Sequence, residues 1–204
     1  MAVDIIMSVK RLQVMRDLAL LTNPEEPFFD SLTKLASEAI GVPVSLVSIV
    51  SNNYQYFKSM VGLPEPWASD RRTPLSHSFC QHVVATGEPL VIEDAREVDF
   101  LKDNLAIPDL NVIGYLGIPI TSPDGEGLGS FCVIDDRPHR WTESDIELMN
   151  AFARLVNKEI DLRAKARNFG TLEEHITEGR ERRDKLIASI DPKMPNYEVV
   201  RRLD

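Results

Sequence analysis

Three side chains able to hold a metal or activate a thiol, His77, Cys80 and His82, fall within six residues of PLSHSFCQHVVATGEP, residues 74–89. Imidazole and thiolate are soft-metal ligands, and a histidine near a cysteine can favour the nucleophilic thiolate. Spacing decides among these chemistries. Ser76 to Thr86 reads as a helix, and with Phe79 at zero and about 100° per residue, Cys80 falls at about 100°, between Val83 at about 40° and Val84 at about 140°. The thiol thus lies in the apolar arc and packs as a small hydrophobe. His77 and His82 are separated by about 140° around such a helix, so they cannot chelate one ion as an i, i+4 pair does. His77 and Cys80 share a face but are only two ligands, and no metal is expected.

The remaining candidates have plain readings. Arg71-Arg72 is a pair that could meet an anion, but paired arginines in a polar connection are expected to be solvated. Asp135-Asp136 stands at a strand end and reads as turn-forming, while His139 and His175 have no partners in sequence and are expected to face solvent. Cys80 and Cys132 are the two cysteines of the chain, each inside an apolar run, so reduced thiols rather than a disulfide framework are expected.

Around these residues the elements follow from local pattern. Ile5, Val9, Leu12, Met15 and Ala19 have helical spacing, interrupted by Thr22-Asn23-Pro24, and a second helix runs from Pro27 to Ile40 and stops at Gly41. VPVSLVSIV and YQYFKSMVG, joined at Ser51-Asn52-Asn53, form an antiparallel hairpin. Trp67 to Thr73 reads as a polar connection, PLVIEDA as a strand, and Arg96 to Gly114 as a loop with a short helix that Pro108 confines to about Phe100 to Ala106. YLGIPI and GLGSFCVID make a second hairpin across Ser122-Pro123-Asp124-Gly125, where proline presets φ and glycine takes positive φ. Thr142-Glu143-Ser144-Asp145 caps a helix whose stripe is Ile146, Met149, Ala153, Val156 and Ile160. Trp141 anchors its start. Leu148, Leu155 and Leu162 recur every seven residues outside that stripe. Beyond Arg163 the apolar pattern weakens, Gly170 interrupts, and a charged helical stretch precedes the tail DPKMPNYEVVRRLD.

With 204 residues, 43% of them hydrophobic, the chain suffices for one core and a helical extension. A net charge of −9, from 32 acidic and 23 basic residues, works against binding phosphate backbones or anionic lipid, so no nucleic acid and no membrane is expected as a partner. Without a long apolar run or a signal-like start, a cytoplasmic location is expected. The domain reading is an N-terminal helix at 1–22, a central domain at 23–163, and a charged helical extension and tail at 164–204.

The order helix, hairpin, helix, strand, loop, hairpin, long helix describes an α+β fold, an antiparallel sheet sandwiched by helices with long N- and C-terminal helices. SFCQHVVATGEPLVIEDA, followed by GYLGIPITSPDGEGLGSFCVIDDRPHRWTESDIELMNAFARLVNKEIDLR, resembles the GAF domain family, in the branch found in bacterial sensor histidine kinases and diguanylate cyclases. The resemblance runs from about Met15 to Arg163, with Glu97-Val98-Asp99-Phe100 standing where that branch has Asp-Pro-Arg-Phe. It implies a regulatory sensor module that binds a small molecule, acts on a signalling partner protein, or forms a homodimer through its terminal helices. Phe57, Phe79, His82, Asp94 and Tyr115 are the candidate ligand-binding residues, aromatic walls with a few polar groups. No catalytic residue and no cofactor is expected. Cyclic-nucleotide binders of the family would show Asn-Lys after the last strand, where this chain reads VIDDRPHRWTESD. Bilin carriers need a cysteine after the third strand, and Arg96 to Gly114 has none. The alternative is a thiol-dependent reductase of the free methionine sulfoxide reductase type, although those enzymes place cysteines in that same lid segment.

Overall fold

The computed structural model describes residues 5–22 and 26–189. Met1–Ala164 and Lys165–Asp204 form two compact units. The first contains a single six-stranded sheet, in which β1 (Val44–Val50) pairs with β2 (Tyr54–Val61) and β6 (Gly127–Asp135), β2 with β3 (Arg72–Pro74), and β5 (Gly114–Thr121) with β6 and β4 (Leu90–Ile92). The order is β3-β2-β1-β6-β5-β4, and every pairing is antiparallel.

Because successive strand residues face opposite ways, each central strand serves two cores. Val47 and Ile49 of β1, Leu116, Ile118 and Ile120 of β5, and Phe131 and Val133 of β6 build the first, against α1 (Val9–Asp17), α2 (Pro27–Ile40) and the start of α6 (Glu143–Ser189). Met149, Ala153, Val156 and Ile160 of α6 are buried there, the stripe expected from the sequence. Leu46, Tyr115, Cys132 and Ile134 face the other way into a second core. It is covered by α4 (Cys80–Thr86), by the loop from 93 to 113 and by α5 (Ala106–Leu110) within it. The fold is thus the expected α+β sandwich.

Several local expectations change. The N-terminal helix is nine residues rather than a long element: Ser8 Oγ accepts from Arg11 N at 3.4 Å, and the backbone turns left-handed at Ala19, φ 52°. The stripe drawn from Ile5 to Ala19 therefore breaks at both ends. Ile5, Val9 and Ala19 are exposed, Met15 is buried as expected with Leu12 half-buried, and Ile6, Arg11 and Leu18, outside the stripe, are buried as well. Arg11 reaches across to the Val50 carbonyl and binds the Ile6 carbonyl at 3.4 Å; burial pulls its guanidinium down to about 10.

Trp67 to Thr73 is not merely a connection, since Trp67–Asp70 forms a short helix, α3, and Arg72–Pro74 is an edge strand. Arg71 is not solvated as expected; it donates to the backbone carbonyls of Phe57 (3.2 Å) and Lys58 (2.8 Å). The expected helix from Ser76 to Thr86 divides into a 3-10 turn, Leu75–His77, and α4. Pro108 does not end a helix. It is the third residue of α5, where an amide hydrogen has no intrahelical acceptor and a proline costs nothing. Nor does Gly170 interrupt α6, which is continuous to Ser189; one glycine costs about 1 kcal/mol relative to alanine. The tail from residue 191 lies outside the described residues.

The turn of the second hairpin and the cap of α6 hold as expected. Gly125 adopts φ 80° in the second hairpin, with Ser122 N donating to the Glu126 carbonyl at 2.9 Å. At α6, Asp145 N donates to Thr142 Oγ1 (3.2 Å) while Thr142 N donates back to Asp145 Oδ2 (2.8 Å), a reciprocal cap.

Candidate functional site

The second core is not wholly apolar. Where α4 crosses β1, β5 and β6, a row of inward-facing polar side chains comes together: Ser48 from β1, Gln55 from β2, Tyr115 from β5, Ser130 and Cys132 from β6, and Ser78 and Cys80 at the start of α4. Gln55 organises one half. Its Oε1 accepts from Ser78 Oγ at 2.7 Å and Ser48 Oγ at 3.3 Å, and its Nε2 donates to Thr73 Oγ1 at 2.7 Å. This satisfies a buried amide that would otherwise cost roughly 1–3 kcal/mol.

The other half is built on the cysteines. Cys80 Sγ lies 3.9 Å from Cys132 Sγ, and both are free thiols. Tyr115 Oη donates to Cys80 Sγ at 3.4 Å and lies 3.3 Å from Ser130 Oγ. Its ring folds over Gly117, the one residue that leaves it space: a Cβ there would stand 2.7 Å from Tyr115 Cε1 and 2.7 Å from Ser130 Oγ. The Cys132 thiol donating to Cys80, helped by the hydroxyls of Tyr115 and Ser48, brings the Cys80 thiol down to about 7 against the effect of burial. Burial and the neighbouring Cys80 push Cys132 up, and burial pushes the Tyr115 phenol well up. Of the two thiols, Cys80 is the one that gives up its proton more readily, and Cys132 the one that holds it.

Over this row sits a cavity of about 20 Å3, room for one water-sized molecule. Of the five expected ligand-binding residues, Phe57, Phe79 and Tyr115 line it, with the Phe79 and Tyr115 rings 5.3 Å apart. His82 and Asp94 are not among its lining residues. His82 stands on the outer side of α4 against the Phe100 ring, centroids 5.1 Å apart, and burial lowers its imidazole. Asp94 caps the turn Ala95–Glu97 and binds Arg96, whose guanidinium holds the carboxyl below its ordinary value.

Sequence reasoning missed Gln55, His77 and Cys80 as lining residues. Gln55 shares a strand face with Phe57 by simple alternation, which would have found it. His77 belongs to the 3-10 turn, not the helix, so its Nε2 meets Asp109 Oδ2 of α5 at 3.0 Å and its Nδ1 lies 3.0 Å from Ser76 Oγ. Among the described residues no three His, Cys, Asp or Glu side chains gather as a metal requires.

The strand end carries a second polar group. Asp135 is buried, with its Oδ2 2.8 Å from His139 Nδ1, and the His139 ring stacks on Trp141 at 4.0 Å. His139 is therefore not solvent-facing as expected. Burial pushes the Asp135 carboxyl up, but the bonds from His139 and Asp136 and the charge of Arg137 outweigh it and hold the group below its usual range. Trp141 Nε1 donates to the Ile92 carbonyl at 2.8 Å, so this group ties the start of α6 to β4.

A six-stranded antiparallel sheet between helices, with a small cavity over one face, defines a domain of the α+β class. The chain belongs to the GAF domain family: the family model matches residues 24–160. It is 30% identical over 145 residues to the cyclic di-GMP phosphodiesterase PA2567 of Pseudomonas aeruginosa, a match covering 70% of this chain and 24% of that protein. The chain thus spans about a quarter of the curated relative it matches. Among solved structures, it is similar to the GAF domain of a phosphoenolpyruvate-protein phosphotransferase from Coxiella burnetii (TM-score 0.58, 21% identity, covering 83% of this chain and 98% of that one). It is also similar to the free methionine-R-sulfoxide reductase of Neisseria meningitidis in complex with its substrate (TM-score 0.56, 15% identity, 75% and 89%). At these identities the two structures speak to the fold. GAF domains are signalling modules of bacterial proteins. No described helix is long and apolar enough to cross a membrane.

Proposed function

We propose that this chain is a regulatory GAF sensor module of bacterial signal transduction, taking a small molecule over the second core and assembling as a homodimer through α1 and α6. The observation that carries the reading is the cavity itself. Aromatic walls, Phe57, Phe79 and Tyr115, surround a few fixed polar groups, Gln55, His77 and Cys80, the composition of a small-molecule site. Asp94 and His82 do not line it, so the proposed ligand contacts are Phe57, Phe79 and Tyr115. In support of the dimer, Leu155 and Leu162 are about half exposed on α6 beyond its buried stripe, and Ile5 and Val9 are exposed at the N-terminal end. A second copy would cover them, and ligand-driven shifts in helix register would then reach a signalling partner. A cytoplasmic setting suits this reading.

Native mass spectrometry of protein purified from its own cell tests the ligand, with a bound mass as the expected result and the bare chain as the contrary one. Sedimentation across a dilution series tests the assembly. A monomer at micromolar concentration, unchanged by Leu155→Lys, would remove the dimer.

A second reading, a thiol-dependent reductase of free methionine sulfoxide, draws support from the lowered Cys80 thiol with Cys132 beside it. Turnover of free methionine sulfoxide with a dithiol, lost in Cys80→Ser and in Cys132→Ser, would put the enzyme first. The segment from Arg96 to Gly114, where those enzymes place cysteines, holds none, and this stands against it.

A further inference from the structure

We infer that Cys80 and Cys132 are a peroxide-responsive pair, oxidised in place to an intramolecular disulfide and returned to thiols by a small dithiol.

Three features carry this. The first is proximity: α4 and β6, 52 positions apart in sequence, bring the two sulfurs to 3.9 Å, and a bond requires about 2.05 Å. The remaining approach of roughly 2 Å is within reach of rotation about the two Cα–Cβ bonds and a small shift of a seven-residue helix. The second is asymmetry. Cys80 Sγ receives the Tyr115 hydroxyl at 3.4 Å and the Cys132 thiol, so its thiolate has donors waiting, while Cys132 lies fully buried beside it. The third is access. Cys80 lines the cavity and Cys132 does not, and that cavity admits one water-sized molecule. A hydroperoxide as small as hydrogen peroxide is the oxidant class that fits; a tripeptide disulfide is not.

The chemistry balances. Cys80 thiolate attacks one peroxide oxygen, the O–O bond breaks, and the departing hydroxide takes a proton to become water, leaving Cys80 as the sulfenic acid. Cys132 sulfur then attacks Cys80 sulfur, the S–OH bond breaks, and the hydroxide leaves with the Cys132 proton as a second water. Two thiols have given up two electrons and two protons to one peroxide. A dithiol reverses the bond by exchange through a mixed disulfide.

The oxidised pair changes the cavity. Bond formation replaces the thiolate that accepts from Tyr115 with a neutral disulfide sulfur, a weaker acceptor, and it draws the N-terminus of α4 toward the sheet. Phe79, whose ring packs on Tyr115, and Ser78, whose hydroxyl holds Gln55, both precede Cys80 directly. The inference holds whether or not the cavity takes a ligand.

The test uses the 204-residue chain, reduced, freed of reductant and exposed to hydrogen peroxide, then denatured and treated with N-ethylmaleimide. The expected result is that neither cysteine takes up label, the intact mass falls by two hydrogens, the Cys80 and Cys132 peptides run as one linked species, and dithiothreitol restores both labels. Glutathione disulfide in place of peroxide leaves both thiols free in the folded protein. In Cys132→Ser, dimedone traps the sulfenic acid at Cys80, and in Cys80→Ser it traps none at Cys132. The inference is overturned if both cysteines still label after peroxide has converted the exposed Met7 to its sulfoxide. It is equally overturned if cysteine oxidises to sulfinic acid with no linked peptide, or if glutathione attaches to Cys80 in the folded chain. The wild-type readings stand alone should either variant fold poorly.

Discussion

Glu26 offers the sharpest test of how the first core is held. The residue precedes α2, and its carboxylate bonds both Lys58 of β2 and Arg163 of α6, so it joins three elements across the sheet face. Lys58 is 1% exposed and Glu26 11%, whereas Arg163 is 29% exposed and has a second partner in Glu159 at 2.9 Å. Replacing Glu26 with glutamine orphans mainly Lys58. Removing one partner of a buried pair costs about 3–5 kcal/mol. Lys58 Nζ keeps the carbonyls of Ala19 (3.3 Å) and Thr22 (3.2 Å), which places the expected loss near the lower end, about 3 kcal/mol. Lys58→Met in the Glu26→Gln background removes the stranded charge and should recover much of that loss, so the double-mutant cycle is strongly non-additive. The pH dependence follows from the same contacts. Burial pushes the Glu26 carboxyl up, and the bonds and charges of Arg163 and Lys58 more than offset this, leaving it below its ordinary value. Its contribution is therefore complete above the unfolded value of about 4.3 and disappears as pH falls through the lower folded value. Urea unfolding at neutral pH and along an acid series measures both effects. A loss under about 1 kcal/mol for Glu26→Gln, or an acid limb as steep in the variant as in the parent, would refute the reasoning.

Gly117→Ala should destabilise by about 1–3 kcal/mol or more, since its Cβ would displace the Tyr115 ring; urea unfolding checks it, and a neutral result would mean the ring has another place to go. Tyr115→Phe removes a donor to Cys80 Sγ, so the thiol rises from about 7, read from ultraviolet thiolate absorbance against pH. Thr142→Ala breaks the cap of α6 at a cost of about 1 kcal/mol, measured as a lower urea midpoint with unchanged slope.

The parts of the fold legible in the sequence are those written in short-range terms. Both hairpins follow from β-branched runs and turn residues, and α6 follows from Thr142 and the Ile146 to Ile160 stripe. What escaped depends on partners far along the chain. Arg72–Pro74 is too short to announce a strand and exists because β2 offers it an edge. Arg11 on a helix reads as surface, yet the Val50 carbonyl receives it. Phe57, Phe79 and Tyr115 line the cavity, while His82 and Asp94 stand off it: the helix expected from Ser76 breaks at Ser78 before α4 begins at Cys80, which leaves His82 against Phe100, and Asp94 caps the turn after β4. The meeting of Cys80 with Cys132 needed the register of β1, β5 and β6 as well as the position of α4, and no local pattern encodes that.

The smallness of the cavity sets the terms on which any ligand would enter. A cavity of about 20 Å3 holds nothing much larger than water or hydrogen peroxide, so a bulkier ligand would bind only that fraction of the population in which α5 or the segment around Leu63 had moved aside. Apparent affinity is then intrinsic affinity scaled by that fraction: an open population of roughly one in a hundred weakens binding about a hundredfold, some 2.7 kcal/mol. Residues that never touch the ligand thereby determine the concentration at which it is noticed. Trimming Leu110, which lines the cavity from α5, would lower that threshold, and a chain selected for a scarcer ligand could reach it by loosening the lid while leaving Phe57, Phe79 and Tyr115 unchanged.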